Sequence, residues 1–207
     1  MNRCFVTFIA IVVIVIVNLP SIVAEWRSLP LIRIWSYIMW YAVWVETGRE
    51  ETIKQYCKQY MDSSIYCDIF VLRFNRLKKF YGKWHKESKV MFPGYIFIDT
   101  ETPELVYEAF KRIPTFVSLL GKDRESFTPI EKSKEALFRS MIDETYEIAV
   151  STGFIEGDKV TITDGPLADK EAMIKRIDRH KRIAVLNVEM FGECIGVTVG
   201  LEVVEKK

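Results

Sequence analysis

The stretch KVMFPGYIFIDT, residues 89–100, places a proline and a glycine between two segments of β-forming residues. Pro93 cannot donate a hydrogen bond to a sheet and Gly94 weakens a strand interior, so we expect a bulge or bend there. The bend would tilt Phe92 and Tyr95. These side chains then either line an apolar depression that accepts a partner helix or pack into the core. Residue type alone leaves both interpretations open.

Strand and helix patterns surround that stretch. WYAVWV, residues 40–45, is apolar on both faces, which is typical of an inner strand. Residues 50–61 carry apolar side chains at i, i+3, i+4, i+7 and i+8, which predicts a helix. DIFVLRF, residues 68–74, predicts another strand, and the basic segment 73–89 predicts a long hairpin arm.

Further elements are expected after this arm. Thr102 suits an N-cap and Pro103 the first helical position, so a second helix should begin there. FVSLLG, residues 116–121, predicts a strand, and residues 131–142 predict a third helix. The alternation predicts an α+β fold with a layer of helices on one mostly antiparallel sheet. The second helix is expected to bury Leu105, Val106, Ala109, Phe110 and Ile113.

The pattern changes after about residue 150. Short alternating runs, separated by turn residues at roughly ten-residue intervals, predict a small β-barrel. We therefore predict domains at 39–142 and 154–207, joined by a linker at 143–153. STGFIEG, residues 151–157, is taken as linker sequence.

Composition and residue spacing argue against several classes of protein. The chain has 29 basic and 28 acidic residues, so a nucleic-acid partner would have to meet a local patch of positive charge. His85 and His180 belong to no metal or nucleophile pattern, and no phosphate-binding loop is present in the sequence. We expect no enzyme, no cofactor and no metal site. Without ligand or disulfide spacing, the cysteines are expected to be buried free thiols; they are Cys4, Cys57, Cys67 and Cys194.

Residues 1–38 differ from the rest of the sequence. FVTFIAIVVIVIV, residues 5–17, is apolar but short for a membrane-spanning helix. A signal for export, a membrane anchor and translated sequence ahead of a true start at Met39 are the alternatives. We favour the start at Met39, because it directly precedes the first clear strand pattern.

A first basic cluster lies in the predicted arm, RFNRLKKFYGKWHKESK, where three aromatic residues interleave with the cations. Cations for phosphates and aromatic side chains for bases suit single-stranded nucleic acid. A solvated hairpin whose aromatics pack on the sheet explains the pattern equally well. The candidate contacts are Arg76, Lys78, Lys79 and Lys83.

A second basic cluster joins two strand patterns at a DRHK turn, residues 178–181. A hairpin tip points long cations outward and is narrow enough to enter a groove, where arginines can bind guanine edges or phosphates. A polar turn that merely increases solubility is the alternative. The candidate RNA-binding residues are Lys175, Arg176, Arg179, His180, Lys181 and Arg182.

Taken together, the motifs from residue 40 onward resemble the NusG family of transcription elongation factors. WYAVWVETGREE looks like the start of the family's amino-terminal NGN domain, and MFPGYIFID is similar to its most distinctive internal motif. RIPTFVSLLG resembles the segment after its second helix. GDKVTITDGPLADKEAMIKRID looks like the KOW motif of its carboxy-terminal barrel.

This resemblance implies that the protein acts without catalysis. The NGN domain would bind bacterial RNA polymerase through an apolar depression, to which the family motif assigns Phe92, Pro93, Gly94 and Tyr95. The KOW domain would recruit nucleic acid, ribosomal protein or a termination factor. Phe191 matches an aromatic residue that often makes such contacts. The resemblance implies a cytoplasmic monomer with no membrane partner.

The KOW segment departs from the usual family pattern. Asp169 and Glu171 stand where glycines commonly follow the GP dipeptide, which puts the turn geometry in question. The DRHKR turn is more similar to the specialised LoaP-type paralogs, antiterminators whose KOW domain binds an RNA hairpin. We therefore expect an antitermination factor that contacts polymerase and leader RNA. A general elongation factor acting through Phe191, and a membrane-anchored interaction protein, are the alternatives.

Overall fold

The computed structural model describes residues 39–113, 127–157, 159–190 and 192–206. The strand predicted at 116–121 and the predicted partner contact Phe191 therefore lie outside the described residues. The amino-terminal elements are β1 (Met39–Trp44), α1 (Glu50–Tyr60), β2 (Asp68–Phe70), β3 (Arg73–Phe80), β4 (Lys83–Val90), β5 (Tyr95–Thr100), α2 (Pro103–Phe110), β6 (Phe127–Pro129), α3 (Lys132–Arg139) and β7 (Glu147–Ile148).

An antiparallel sheet with the strand order β2-β5-β1-β6 forms the centre of this part. β1 has a neighbour on each side, which confirms the inner position predicted from its two apolar faces. Helices α1 and α2 bury Ile53 and Phe110 in a core with Ile96 and Ile98 of β5. Helix α3 packs on the opposite face of the sheet. The α+β fold is confirmed, with helices on both faces rather than in one layer.

Two local predictions for this part are wrong. DIFVLRF is not one strand, because β2 ends at Phe70 and β3 begins at Arg73 in a different sheet. Leu105 is 55% exposed, since it lies on the outer side of α2. The predicted helix start is confirmed, with Thr102 at the N-cap and Pro103 first in the helix, although the Thr102 hydroxyl donates to the carbonyl of Ile65 and makes no capping bond within the helix.

The predicted hairpin arm is confirmed. β3 and β4 pair over their whole length, from Arg73 opposite Val90 to Phe80 opposite Lys83. The base of the arm is held by β7, which runs parallel to β3 and pairs Phe74 with Ile148. The arm therefore projects from a three-stranded sheet of its own, in the order β4-β3-β7.

The carboxy-terminal part is the predicted β structure. Its elements are β8 (Ser151–Glu156), β9 (Lys159–Asp164), a 3₁₀ turn (Glu171–Met173), β10 (Ile174–Asp178), β11 (Ile183–Met190) and β12 (Glu193–Lys206), with the sheet order β10-β11-β12-β8-β9. β12 pairs antiparallel with β11 and then parallel with β8, so one long strand joins both halves of the sheet. The interior of this carboxy-terminal β structure is aliphatic, with Leu186, Val199 and Leu201 fully buried.

Two further predictions need correction here. STGFIEG is not a linker, because β8 occupies residues 151–156 and lies between β12 and β9. Its backbone groups are needed to complete the sheet. Cys57 is buried as predicted for a free thiol, whereas Cys67 is half-buried and Cys194 is exposed.

The two parts pack directly against each other. Apolar side chains of both belong to one continuous buried cluster, in which Phe74 and Ile148 join Val199 and Leu201. A Cβ atom on Gly200 would overlap the carbonyl oxygen of Asn75 in β3. Only glycine therefore allows β12 to approach the base of the arm this closely. We call this contact region, from the base of the arm to Trp84, the domain seam.

Among the residues that the structure describes, no helix is long and apolar enough to cross a membrane. The same residues contain no group of three or more histidine, cysteine, aspartate or glutamate side chains that could hold a metal ion.

Candidate nucleic-acid interface

The barrel tip, residues 178–182, is a rigid hairpin turn between β10 and β11. Asp178 accepts a hydrogen bond from the backbone N–H of Lys181 at 2.9 Å, and this bond lowers the pKa of the Asp178 carboxyl. The backbone N–H of Arg182 bonds to the carbonyl of Arg179, and Arg182 has a φ of +51°. A polar turn residue thus closes the loop locally. The side chains of Arg179, His180 and Lys181 are left exposed on a fixed backbone.

Arg182 lies differently from the other cations of the tip. Its guanidinium carbon is 3.5 Å from the centroid of the Trp84 ring, and the same group pairs with Glu202. Its carbonyl accepts from the backbone N–H of Leu201 at 3.0 Å. The side chain is 22% exposed, so Arg182 connects the barrel tip to the arm instead of pointing into solvent.

Lys175 and Arg176 are both exposed on β10, although consecutive strand residues normally point to opposite faces. The register between β10 and β11 shifts between Ile174 and Arg176, and this irregularity allows both side chains to face solvent. β10 is an edge strand of its sheet, so these cations extend the tip along the barrel edge.

The arm carries its cations on two faces. Cross-strand partners share a face, so Lys79 lies beside Trp84 on one side, and Lys78 lies beside His85 on the other. On the second side Glu87 forms ion pairs with Arg76, Lys78 and Lys89 at 2.7, 3.5 and 3.2 Å. The hydrogen bond from Arg76 is the main cause that lowers the pKa of Glu87 to about 2. Arg76 and Lys78 are therefore partly neutralised, although Lys78 is itself exposed. Lys79 and Lys83 are also exposed, Lys79 on the side of Trp84 and Lys83 on the second side.

The structure thus brings part of the two predicted clusters together and separates the rest. Trp84 is the common point, with Arg182 over its ring and the Lys79 ammonium 5.9 Å from its centroid. Sequence reasoning placed Trp84 among aromatics that stack bases or pack on the sheet, but not against the barrel. No sequence signal could have paired Trp84 with Arg182, because they are 98 positions apart and meet only across the seam.

The FPGY turn of residues 92–95 lies at another place in the amino-terminal part. Phe92 is buried, with its ring centroid 5.7 Å from that of Phe97 and 5.6 Å from that of Phe138. Pro93 is exposed and Tyr95 is half-buried. Of the two interpretations left open by the sequence, Phe92 follows the packed one. The role of all four residues in polymerase binding stays a prediction.

Gly94 and a buried carboxylate fix the shape of this turn. Gly94 has a φ of +84°, and a Cβ there would lie 3.1 Å from the Thr47 hydroxyl oxygen. The side chain of Glu50 accepts hydrogen bonds from the backbone N–H groups of Gly94 at 2.7 Å and Gly48 at 2.9 Å. This carboxylate, which sequence reasoning missed, ties the turn to the start of α1.

Trp44 adds an exposed aromatic surface beside the turn. It pairs with Tyr95 across β1 and β5 and is 44% exposed. The apolar pattern of β1 predicts that Trp44 is buried. Trp44 is exposed instead, because it is the last residue of the strand and lies at the edge of the packed core.

Two protein-family models match the chain, and together they cover more than half of it. The model described as transcription termination factor nusG matches residues 39–139, and the KOW motif matches residues 156–189. The chain belongs to the NusG family.

Individual relatives are similar over most of their length. The transcription termination/antitermination protein NusG of Haemophilus influenzae is 24% identical, over 81% of this chain and 93% of the relative. The protein of the same name from Rickettsia conorii is 26% identical, over 81% of this chain and 89% of the relative. A solved structure of Thermotoga maritima NusG covers 80% of this chain and 94% of its own, with 20% identity and a TM-score of 0.42.

The unusual residues of this NusG-family KOW motif are accommodated by the structure. Asp169 adopts a φ of +61°, a left-handed conformation that aspartate tolerates better than most side chains. Glu171 accepts from the backbone N–H of Ile162 at 3.1 Å. The turn is therefore kept without the glycines common at these positions, and Glu171 supplies a bond that glycine could not.

Proposed function

We propose that this NusG-family chain is a transcription antitermination factor of specific operons. Its NGN domain, residues 39–142, binds bacterial RNA polymerase, and its KOW domain, which begins with β8 at Ser151, binds an RNA hairpin in the leader transcript. It acts without catalysis in the cytoplasm. Tethering two contacts in one chain raises the effective concentration of each site for the other.

The barrel tip carries this proposal. Arg179, His180 and Lys181 are exposed on a turn that Asp178 holds in shape, so little backbone conformational freedom is lost when they bind. Lys175 and Arg176 extend the positive surface along the edge strand. A narrow, rigid and basic hairpin fits the phosphates and exposed base edges of a structured RNA.

The polymerase contact is supported by the surface around the FPGY turn. Pro93, Tyr95 and Trp44 lie together there, and a partly exposed aromatic group beside a fixed turn suits an apolar helix of a partner. Phe92 and Gly94 contribute by shaping this surface from beneath.

A salt titration of RNA binding tests the proposal. The full chain is compared with the double variant Arg179→Ala/Lys181→Ala on stem–loop RNA from the leader transcript upstream of its own gene. Loss of two phosphate contacts should weaken binding and reduce the slope of log K against log salt by about 2. Duplex DNA serves as the competitor.

The matched control is Lys111→Ala/Arg112→Ala, which removes the same charge at the end of α2. It should bind RNA as the unmodified chain does. Equal affinities of the tip variant and the control would contradict RNA binding at the tip. Weak binding that does not distinguish RNA from DNA would favour a general elongation factor with a protein ligand at its KOW domain.

A further inference from the structure

The contact between the barrel tip and the arm joins the two basic surfaces of the molecule. The Arg182 guanidinium carbon lies 3.5 Å from the centroid of the Trp84 ring, and Nη1 of the same group pairs with Glu202. Stacking of a planar cation on an indole ring is among the stronger contacts of this type. The cations of both surfaces therefore lie on either side of one aromatic side chain.

The seam beneath this contact is close-packed. Gly200 lets β12 approach the carbonyl of Asn75, and the side chain of Asn75 is itself buried and donates to Glu147 at 2.9 Å. At the far side of the barrel, Lys134 of α3 lies 3.9 Å from Glu189 of β11. The relative position of arm and tip is thus set by packing at several points.

Exposed cations lie on both sides of Trp84. Lys79 lies beside it on the same face of the arm, and Arg179 and Lys181 are exposed on the barrel tip. The nearby acids are occupied, since Asp178 accepts from the Lys181 backbone and Glu202 pairs with Arg182. A polyanion could therefore contact tip and arm at once without meeting an unpaired carboxylate from these two acids.

The arm also exposes large aromatic side chains. Trp84 is 42% exposed, Phe80 is 59% exposed and Tyr81 is 91% exposed, with the Phe80 and Tyr81 rings 4.3 Å apart. Neighbouring exposed aromatic side chains form a contiguous apolar patch, and such patches mark interaction sites. Beside lysines they stack unpaired bases, whereas the bases of a continuous duplex are stacked on each other and inaccessible.

We propose that the arm and the barrel tip form one RNA-binding surface across the seam. The tip cations bind the stem phosphates of a hairpin, and Trp84, with Tyr81 at the turn of the arm, stacks its unpaired loop bases. This inference rests on the proposed function, because it extends the RNA site of the tip. It adds Trp84 and Lys79 as residues that set affinity and assigns Gly200 the role of holding the two halves in register.

The first test measures binding of the leader stem–loop to full-length Trp84→Ala and Lys79→Ala variants. Each should bind roughly tenfold more weakly, from the loss of base stacking or of phosphate contacts. Tyr60→Ala is the aromatic control, since Tyr60 is 64% exposed on α1. The Lys111→Ala/Arg112→Ala variant is the charge control. Both controls should bind normally.

A second probe is the same stem–loop with abasic nucleotides in its loop. The unmodified chain should bind it about tenfold more weakly, and Trp84→Ala should then cause no further loss. If Trp84→Ala weakens binding of the abasic stem–loop as much as it weakens binding of the unmodified stem–loop, Trp84 acts through the fold and not through loop bases. That result would overturn the inference.

The third test breaks the seam with Gly200→Val in the full chain. RNA affinity should fall to that of the arm variants, and adding Trp84→Ala should change it little, because the arm is already displaced. Stronger RNA binding by Gly200→Val would mean that the seam competes with RNA and would overturn the inference. If the variant does not fold by circular dichroism, the arm variants and the abasic probe still decide.

The outcomes separate the two proposals. If tip substitutions abolish binding while the arm substitutions have no effect, the composite surface is refuted and the proposed function survives. If neither set affects binding, both proposals fail.

Discussion

Glu50 shows how one buried charge shapes the FPGY turn. Its carboxylate is 4% exposed and accepts from two backbone N–H groups, at Gly48 and Gly94. Backbone groups at a turn must find partners, and a charged acceptor serves two of them at once. The geometry of the predicted polymerase-binding motif therefore depends on a residue 42 positions before its first residue.

Replacement of Glu50 by alanine should lower the free energy of unfolding by about 2 kcal/mol, because the buried N–H of Gly94 and the more exposed N–H of Gly48 lose a charged acceptor. Urea denaturation measures the change. Glu46→Ala is the control, since Glu46 is 55% exposed and pairs only with exposed Arg49. A loss as small as that of the control would show that the turn keeps its shape without Glu50.

Glu87 provides a test of the charge distribution on the arm. The hydrogen bond from Arg76, with help from Lys89 and Lys78, lowers the pKa of Glu87 from the ordinary 4.5 to about 2. Because the folded pKa lies below the unfolded one, the stabilising contribution is present above about pH 4.5 and is lost as the pH falls toward 2.

A carbon-13 NMR titration of the Glu87 carboxyl should show this low pKa, and Arg76→Gln should raise it toward 4.5. Arg49→Gln, a change of the same charge at a distant site, should leave it unaltered. A Glu87 pKa near 4.5 in the unmodified chain would mean that Arg76 and Lys78 are free for nucleic acid.

Helix α3 is attached to the sheet by a cluster of charged side chains. Arg139 donates to Asp99 at 2.8 Å and to Glu135 at 2.7 Å, and its guanidinium lies 4.6 Å from the Trp40 ring. Burial raises the pKa of Asp99, whose Oδ1 has no hydrogen-bond partner among the described residues. The amphipathic pattern of α3 predicts that one face of the helix packs against the sheet. The ion pairs and the ring contact of Arg139 fix the position of the helix on that sheet.

Arg139→Leu should lower the free energy of unfolding by about 2 kcal/mol, since two buried carboxylates lose their counter-charge. Arg49→Leu removes an exposed pair and should cost less than about 0.5 kcal/mol. Thermal denaturation of both variants checks the difference. An unchanged Arg139→Leu melting temperature would mean that apolar packing alone holds α3.

The FPGY turn and the adjacent end of β1 form the element predicted to contact polymerase. Trp44→Ser and Tyr95→Ser should each weaken binding of the full chain to RNA polymerase about tenfold or more, in line with aromatic residues at interfaces. Pull-down titration measures this, with Tyr60→Ser as the exposed aromatic control. Equal retention of all three variants would place the polymerase contact elsewhere on the molecule.

The seam makes the two domains interdependent. One apolar cluster runs through both, and Gly200 permits a contact that any side chain would prevent. Domains with a large shared apolar interface are expected to unfold together. Calorimetry of the full chain should therefore show a single transition, and Gly200→Val should divide it into two. Two transitions in the unmodified chain would show that the domains are energetically separate.

Much of this arrangement is visible in local sequence patterns. The inner position of β1, helix α1, the arm, the turn at Pro93 and Gly94, and the change to β structure near residue 150 all follow from periodicity and backbone chemistry. These features depend on neighbours a few positions apart, so a short window contains their cause. The division of residues 68–74 between two sheets depends on strand pairing and could not be seen in such a window.

The sequence by itself determined the inner strand β1, helix α1 and the arm, the concentration of positive charge at the arm and at the barrel tip, and the sharp turn between β4 and β5. Only the tertiary structure decided that Phe92 is buried, that Glu87 neutralises one face of the arm, and that Arg182 meets Trp84. The physical reason is the sequence separation over which each kind of interaction acts. Backbone propensity and periodicity act between near neighbours, whereas burial, ion pairing and stacking depend on which distant surfaces the fold brings together.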